Sequence, residues 1–171
     1  MSPFTDALTG LPNRNAFHEY LHSAPASATG AVLFIDIDGF MFVNGVLGHH
    51  EGDRILKIVA RKVFGTVKPP AWAARIGGDE FIVLAPLEQA AEAAEQLHNA
   101  MRSLFAVERR DVKLKADPSV IVMPPDRGVL TLSIGIAPIA KFGVRPEDRI
   151  AAAEAACQKA KCKGRDCTYT T

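Results

Sequence analysis

Asp36 and Asp38 close the apolar run Ala31-Val32-Leu33-Phe34-Ile35-Asp36-Ile37, and Asp79 and Glu80 follow a glycine pair in Ile76-Gly77-Gly78-Asp79-Glu80. Carboxylates held at the ends of neighbouring strands can converge on a hard divalent cation. Mg2+ commonly takes one or two of them together with substrate phosphates. Gly77 and Gly78 remove side chains beside that point, so a bulky ligand can approach the backbone closely. Taken alone, Gly-Gly-Asp-Glu also reads as a solvated turn, since Asp and Gly are everyday turn residues.

The elements that must carry these acids follow from periodicity. Residues 31–37 form a continuous apolar run, the pattern of a strand buried on both faces. Short apolar runs at Trp72 to Arg75 and Phe81 to Leu84 flank the glycine pair and predict a β-hairpin. A third strand is predicted from the period-two run at residues 130–137. Helices are predicted from Asn13-Arg14 to Leu21, from Asp53 onward through Ile55, Leu56, Ile58, Val59, Val63 and Phe64, and over residues 88–105. A last helix starts at Pro146-Glu147-Asp148, with Pro and acids in its first turn, and stops at Gly164. Residues 107–128 read as an extra hairpin or long loop. The order strand, helix, hairpin, helix, strand, helix predicts an α/β (α+β) sandwich, a central and mainly antiparallel sheet flanked by helices.

The chain has 171 residues, 48% of them hydrophobic and 23% charged, with 20 Lys+Arg against 19 Asp+Glu. That is a globular composition of single-domain length, not a disordered one. A net charge of +1 leaves no broad positive field for nucleic acid or an anionic membrane, so an anionic ligand has to be held locally. Cys157, Cys162 and Cys167 are odd in number and lack metal-site spacing, so they read as packing or surface thiols. No secretory leader and no apolar stretch near the ~20 residues of a membrane span are visible. A cytoplasmic location is expected.

Asp36-Ile37-Asp38-Gly39-Phe40 is followed by Asn44, Gly48-His49, Gly52-Asp53, Arg75-Ile76-Gly77-Gly78-Asp79-Glu80-Phe81 and Ser133-Ile134-Gly135, after an opening Asp6-Ala7-Leu8-Thr9-Gly10-Leu11-Pro12-Asn13-Arg14 and before a closing Lys161-Cys162-Lys163-Gly164-Arg165. The ordered set resembles the GGDEF family of diguanylate cyclases, which condense two GTP into cyclic di-GMP. The resemblance spans about residues 6–167. It implies a fold like the nucleotide cyclase or polymerase palm, one catalytic domain excised from a larger signalling protein with a sensory or regulatory module, and a homodimer holding one GTP per protomer. The parent protein could be membrane-attached, but direct membrane contact by this domain and nucleic-acid binding are not implied.

The resemblance also implies roles. Asp36 and Asp79, with the Ile37 carbonyl, would hold Mg2+ (or Mn2+) against the GTP phosphates. In a two-metal arrangement one ion activates the attacking 3′-hydroxyl and the other neutralises the departing pyrophosphate. Asp79 would accept the proton, with Glu80 assisting at the metal or in positioning. Asn44 and Asp53, and less centrally His49, would read guanine, since an acid accepting from N1–H and N2–H2 rejects adenine. Gly77 and Gly78 would give the ligand close access to the backbone. Lys161 and Arg165, four apart on one helical face, would answer the phosphates.

Simpler readings exist for single residues: Lys161 and Arg165 as helix C-terminal cations, His49-His50 as a polar loop, Asp53 as an N-cap. They do not account for the shared order. Met41 stands where the family usually has Lys, which leaves the amides of Phe40 and Met41 to serve the triphosphate. Cys157-Gln158 replaces a usual Leu-Tyr, and Lys68-Pro69-Pro70-Ala71 replaces the Arg-x-x-Asp of product feedback. A catalytically silent GTP-binding domain that regulates an attached or partner module is the alternative.

Overall fold

Along β1 (Ala31–Asp38) successive side chains point to opposite faces of the sheet, and both faces are apolar. Ala31, Leu33, Ile35 and Ile37 enter a core shared with α2 (Phe40–Leu47), α3 (His49–Lys62) and α4 (Ala90–Ala106). Val32 and Phe34 enter a second core with α1 (Arg14–Ser23) and α5 (Pro146–Cys162). The computed structural model describes residues 2–23, 30–106, 130–139 and 145–171. The extra hairpin or loop expected at residues 107–128 lies outside them.

The sheet has the order β2-β3-β1-β4-β5, with β2 (Trp72–Arg75), β3 (Glu80–Ala85), β4 (Thr131–Pro138) and β5 (Cys167–Thr170). The first three pairings are antiparallel and β4–β5 is parallel, so the sheet is mixed but mainly antiparallel, as expected. Two elements were not anticipated. α2 has eight residues interrupted by Gly45 and ended by Gly48, too short for a helical period to stand out. β5 is four residues after a turn, alternately half-buried and exposed.

α3 begins at His49, earlier than Asp53, with Gly48 at its cap at φ 83°. Asp53 therefore lies inside the helix and does not cap it, and His49-His50 form its first turn and not a polar loop. On β4, Gly135 lies directly beneath α5. A Cβ there would run into the backbone of Ala153, Ala156 and Cys157, so the missing side chain lets the helix sit on the strand.

Candidate active site

β1 ends beside the β2–β3 hairpin, with Asp36 opposite Glu80 on one side and opposite Ser133 on the other. The Ile37 amide donates to the Asp79 carbonyl at 3.3 Å, which fixes the hairpin tip against the end of β1. Burial pushes the Asp36 carboxyl up from its ordinary value, and the charges of Asp79 and Asp38 add to that, against a hydrogen bond from Lys161. One of the two carboxylates named for the cation, Asp79, thus acts on the other. Lys161 Nζ reaches Asp36 Oδ2 at 2.8 Å. Although burial alone would lower it, that contact raises the pKa of Lys161 and keeps it an ammonium.

Asp38 has a different occupation. It is 6% exposed and accepts from Thr131 Oγ1 at 2.8 Å, Ser133 Oγ at 2.7 Å and the Asp166 amide at 3.2 Å. Arg165 Nε lies 3.8 Å from it. Among the described residues no three His, Cys, Asp or Glu side chains form a ready-made cation cage. Asp36 at the end of β1 and Asp79 at the hairpin tip are nonetheless a donor pair that suits Mg2+, which commonly takes one or two carboxylates with waters and phosphate oxygens.

Lys161 and Arg165 do not share a helical face. α5 ends at Cys162, and the chain turns through Gly164 (φ 113°), Arg165 (φ 65°) and Asp166 (φ 46°). The turn returns Arg165 toward β1, so both cations meet strand acids and do not simply decorate the helix end. Beneath them Cys157 is fully buried and donates to the Ser133 carbonyl at 3.1 Å. Burial foremost, and then the Asp36 charge, push its thiol up to about 12, which makes it a packing residue and not a nucleophile.

The glycines have separate uses. A Cβ on Gly77 would strike the Glu80 carboxylate, so that space belongs to Glu80, whereas a Cβ on the exposed Gly78 would meet open space. On α3, a Cβ on Gly52 would strike the Asn44 side chain. Gly52, otherwise a poor residue for a helix interior, is what brings Asn44 alongside the turn that carries Asp53. His49 and Asp53 are exposed on the same helix. Phe40 is buried, Met41 is 85% exposed, and their amides head α2 without a backbone acceptor, since the first helical donations come from Phe42 and Val43 to the Gly39 carbonyl.

The opening motif braces the hairpin, a role that its distance in sequence concealed. Arg75 donates to the Gly78 carbonyl through Nε (3.1 Å) and Nη2 (2.8 Å) and to Asp6 Oδ1 through Nη1 (3.0 Å). Arg14 Nε donates to the Ile76 carbonyl at 3.0 Å, and the Arg75 amide to the Pro12 carbonyl at 2.9 Å. Burial raises the Asp6 carboxyl, but hydrogen bonds from Thr9 and Arg75 outweigh it and hold it below its ordinary value. A depressed carboxylate stabilises the fold above its unfolded pKa and loses that contribution as pH falls through its folded pKa. Asp6→Asn should lower Tm at neutral pH by about 2–4 °C, the equivalent of ~1 kcal/mol at this size. The two melting curves should converge in acid, below the carboxylate range; a constant offset across pH would contradict the ionic brace.

One family profile, described as "Diguanylate cyclase, GGDEF domain", matches residues 3–167. The chain is 38% identical over 129 residues to the cyclic di-GMP phosphodiesterase NbdA of Pseudomonas aeruginosa, covering 71% of this chain and 16% of NbdA. Among solved structures it resembles the diguanylate cyclase SiaD of Pseudomonas aeruginosa, crystallised with its activator SiaC, at TM-score 0.78, 28% identity, 99% of this chain and 62% of that one. The GGDEF domain of DgcB from Caulobacter crescentus, in complex with c-di-GMP, superposes at TM-score 0.77 with 27% identity, covering 99% of this chain and 96% of that one. The chain spans less than half the length of the curated relatives it matches. Among the described residues no helix is long and apolar enough to cross a membrane.

Proposed function

The chain belongs to the GGDEF domain family of diguanylate cyclases, and on that premise we propose that it condenses two GTP into cyclic di-GMP with release of two pyrophosphates. The observation that carries this reading is the junction of β1 and the hairpin, where Asp36 stands opposite Glu80, the Ile37 amide donates to the Asp79 carbonyl at 3.3 Å and Lys161 Nζ holds Asp36 at 2.8 Å. Asp36 and Asp79, with the Ile37 carbonyl, would hold Mg2+ or Mn2+. Bound metal would supply Lewis-acid activation of the 3′-hydroxyl and charge neutralisation at the leaving pyrophosphate.

The remaining work falls to the protein's own groups. The amides of Phe40 and Met41 at the head of α2 point donors at the triphosphate, and Lys161 and Arg165 supply its counter-charge. Asn44 and Asp53, with His49 nearby, read the guanine edge. Gly78 leaves room for the nucleotide beside the hairpin, and Gly77 lets Glu80 fold in behind it. In each of two steps a 3′-oxygen forms a bond to the α-phosphorus of the facing GTP, the bond to the bridging oxygen breaks, and Asp79 takes the hydroxyl proton. One protomer presents one GTP, so two protomers meet as a homodimer, and catalysis is chiefly positioning and charge stabilisation. The domain would work in the cytoplasm under a sensory or regulatory module, without nucleic-acid or membrane contact of its own. Lys68-Pro69-Pro70-Ala71 offers no Arg-x-x-Asp, so product feedback there is not part of the reading.

The relatives named as phosphodiesterases, together with the exposed Met41, support a second reading, a GTP-binding domain that regulates an attached module. Incubation with GTP and Mg2+, followed by chromatography of the products, separates the two. Cyclic di-GMP should accumulate, and withdrawal of Mg2+ should stop it. Bound GTP that is never converted would favour the regulatory reading.

A further inference from the structure

We propose that His98 and Arg102 on α4 are positioning residues for Arg165 and Lys161, acting through Asp166; the proposal rests on the phosphate role given above to that pair of cations. Asp166 is the last of three consecutive residues at positive φ, and neither it nor Arg165 is glycine. Non-glycine residues persist in that region only where the surroundings hold them. The holding groups come from two other elements. From β1, Asp38 Oδ2 accepts the Asp166 amide at 3.2 Å. From α4, Arg102 donates to both carboxylate oxygens of Asp166, through Nε at 3.3 Å and Nη2 at 3.2 Å, and lies 3.5 Å from its carbonyl oxygen.

His98, 3% exposed, completes the clamp. Its Nε2 lies 3.0 Å from Thr168 Oγ1 on β5, and its Nδ1 faces Asp166 Oδ1 at 3.5 Å without another partner. Burial, and then the Arg102 charge, lower the pKa of His98 and favour a neutral ring. A neutral ring with its proton on Nδ1 accepts from the Thr168 hydroxyl at Nε2 and turns the Nδ1 proton toward Asp166, a 3.5 Å approach without a formed hydrogen bond. α4 thereby grips the turn just beyond α5, and the turn delivers Arg165 to Asp38 while the end of α5 delivers Lys161 to Asp36. Without the clamp the turn relaxes toward ordinary φ and Arg165 leaves the site. Ground-state phosphate binding then suffers, while the acids on β1 and the hairpin keep their places.

The test compares Arg102→Ala, Asp166→Ala and Asp166→Asn in the full chain; Asn tolerates positive φ and keeps an acceptor. Arg102→Ala and Asp166→Ala should raise KM for GTP about tenfold, the worth of a charge-assisted hydrogen bond, with kcat within about twofold. Asp166→Asn should recover most of the loss. Unchanged KM, or kcat and KM damaged together with no recovery by Asn, overturns the proposal. Amide hydrogen exchange at Asp166 reads the clamp independently of turnover. Arg102→Ala should remove protection there, and retained protection overturns the proposal even if the wild-type protein makes no product. A wild-type protein that makes none, with protection lost in Arg102→Ala, defeats the cyclase reading alone.

Discussion

Asp36→Asn should cut cyclic di-GMP formation by about a thousandfold or more while leaving the metal-free protein as stable as the wild type, or more so, at neutral pH. The loss follows from removing one of two carboxylates that would hold a cation worth several kcal/mol to the transition state. The stability effect follows from the surroundings of Asp36. Burial, and then the charges of Asp79 and Asp38, raise its pKa despite the contact with Lys161. A carboxyl whose folded pKa is raised stabilises the fold at low pH and loses that contribution as pH rises through the raised value. An amide is neutral throughout, so the Tm of Asp36→Asn should match the wild type in acid and equal or exceed it above the carboxylate range. Thermal melts across pH, paired with product assays, check both halves. Product within about tenfold of wild type, or a variant less stable at neutral pH, would contradict the account.

Gly135→Ala should have the largest effect on stability. Its Cβ would meet main-chain atoms of Ala153, Ala156 and Cys157, which cannot rotate away as a flexible side chain could. Overpacking of this kind typically costs ~1–3 kcal/mol or more, and at this length ~3 kcal/mol lowers Tm by roughly 6–12 °C. Because α5 carries Lys161, lifting it from β4 should also weaken GTP binding. Gly45 is the control: it lies in α2 with open space around it, and Ala there should raise Tm slightly through helix propensity. Similar Tm values for Gly135→Ala and wild type would mean that α5 does not lie on β4 as described.

The parts of this fold that were legible in the sequence are those written in local pattern. The apolar run at β1 and the glycine-centred hairpin announced the three adjoining strands. The spacing of Ile55, Leu56, Ile58 and Val59 announced the core face of α3. α2 and β5 escaped because eight and four residues are too few for periodicity to speak. The acids of the site were also legible as types, but their division of labour was not. Asp36 and Asp38 look alike in the chain, yet the carboxylate of Asp38 accepts from the Thr131 and Ser133 hydroxyls and the Asp166 amide, while that of Asp36 meets Lys161; the partners of Asp38 come from β4 and the turn before β5. Lys161 and Arg165 were placed on one helical face because their spacing permits it; the left-handed turn at residues 164–166 has no periodic signature. Gly52 and Gly135 show the same limit, since what each makes room for is a distant side chain or helix.

The central claim is that one chain holds half of an active centre, and the dependence of cyclic di-GMP formation on protein concentration tests it most directly. With saturating GTP and Mg2+, the rate per protomer should rise with concentration and level off as dimers fill, while GTP binding per protomer stays constant. Product formation that is independent of concentration down to the monomer, or GTP bound without any product at the highest concentration, would contradict it.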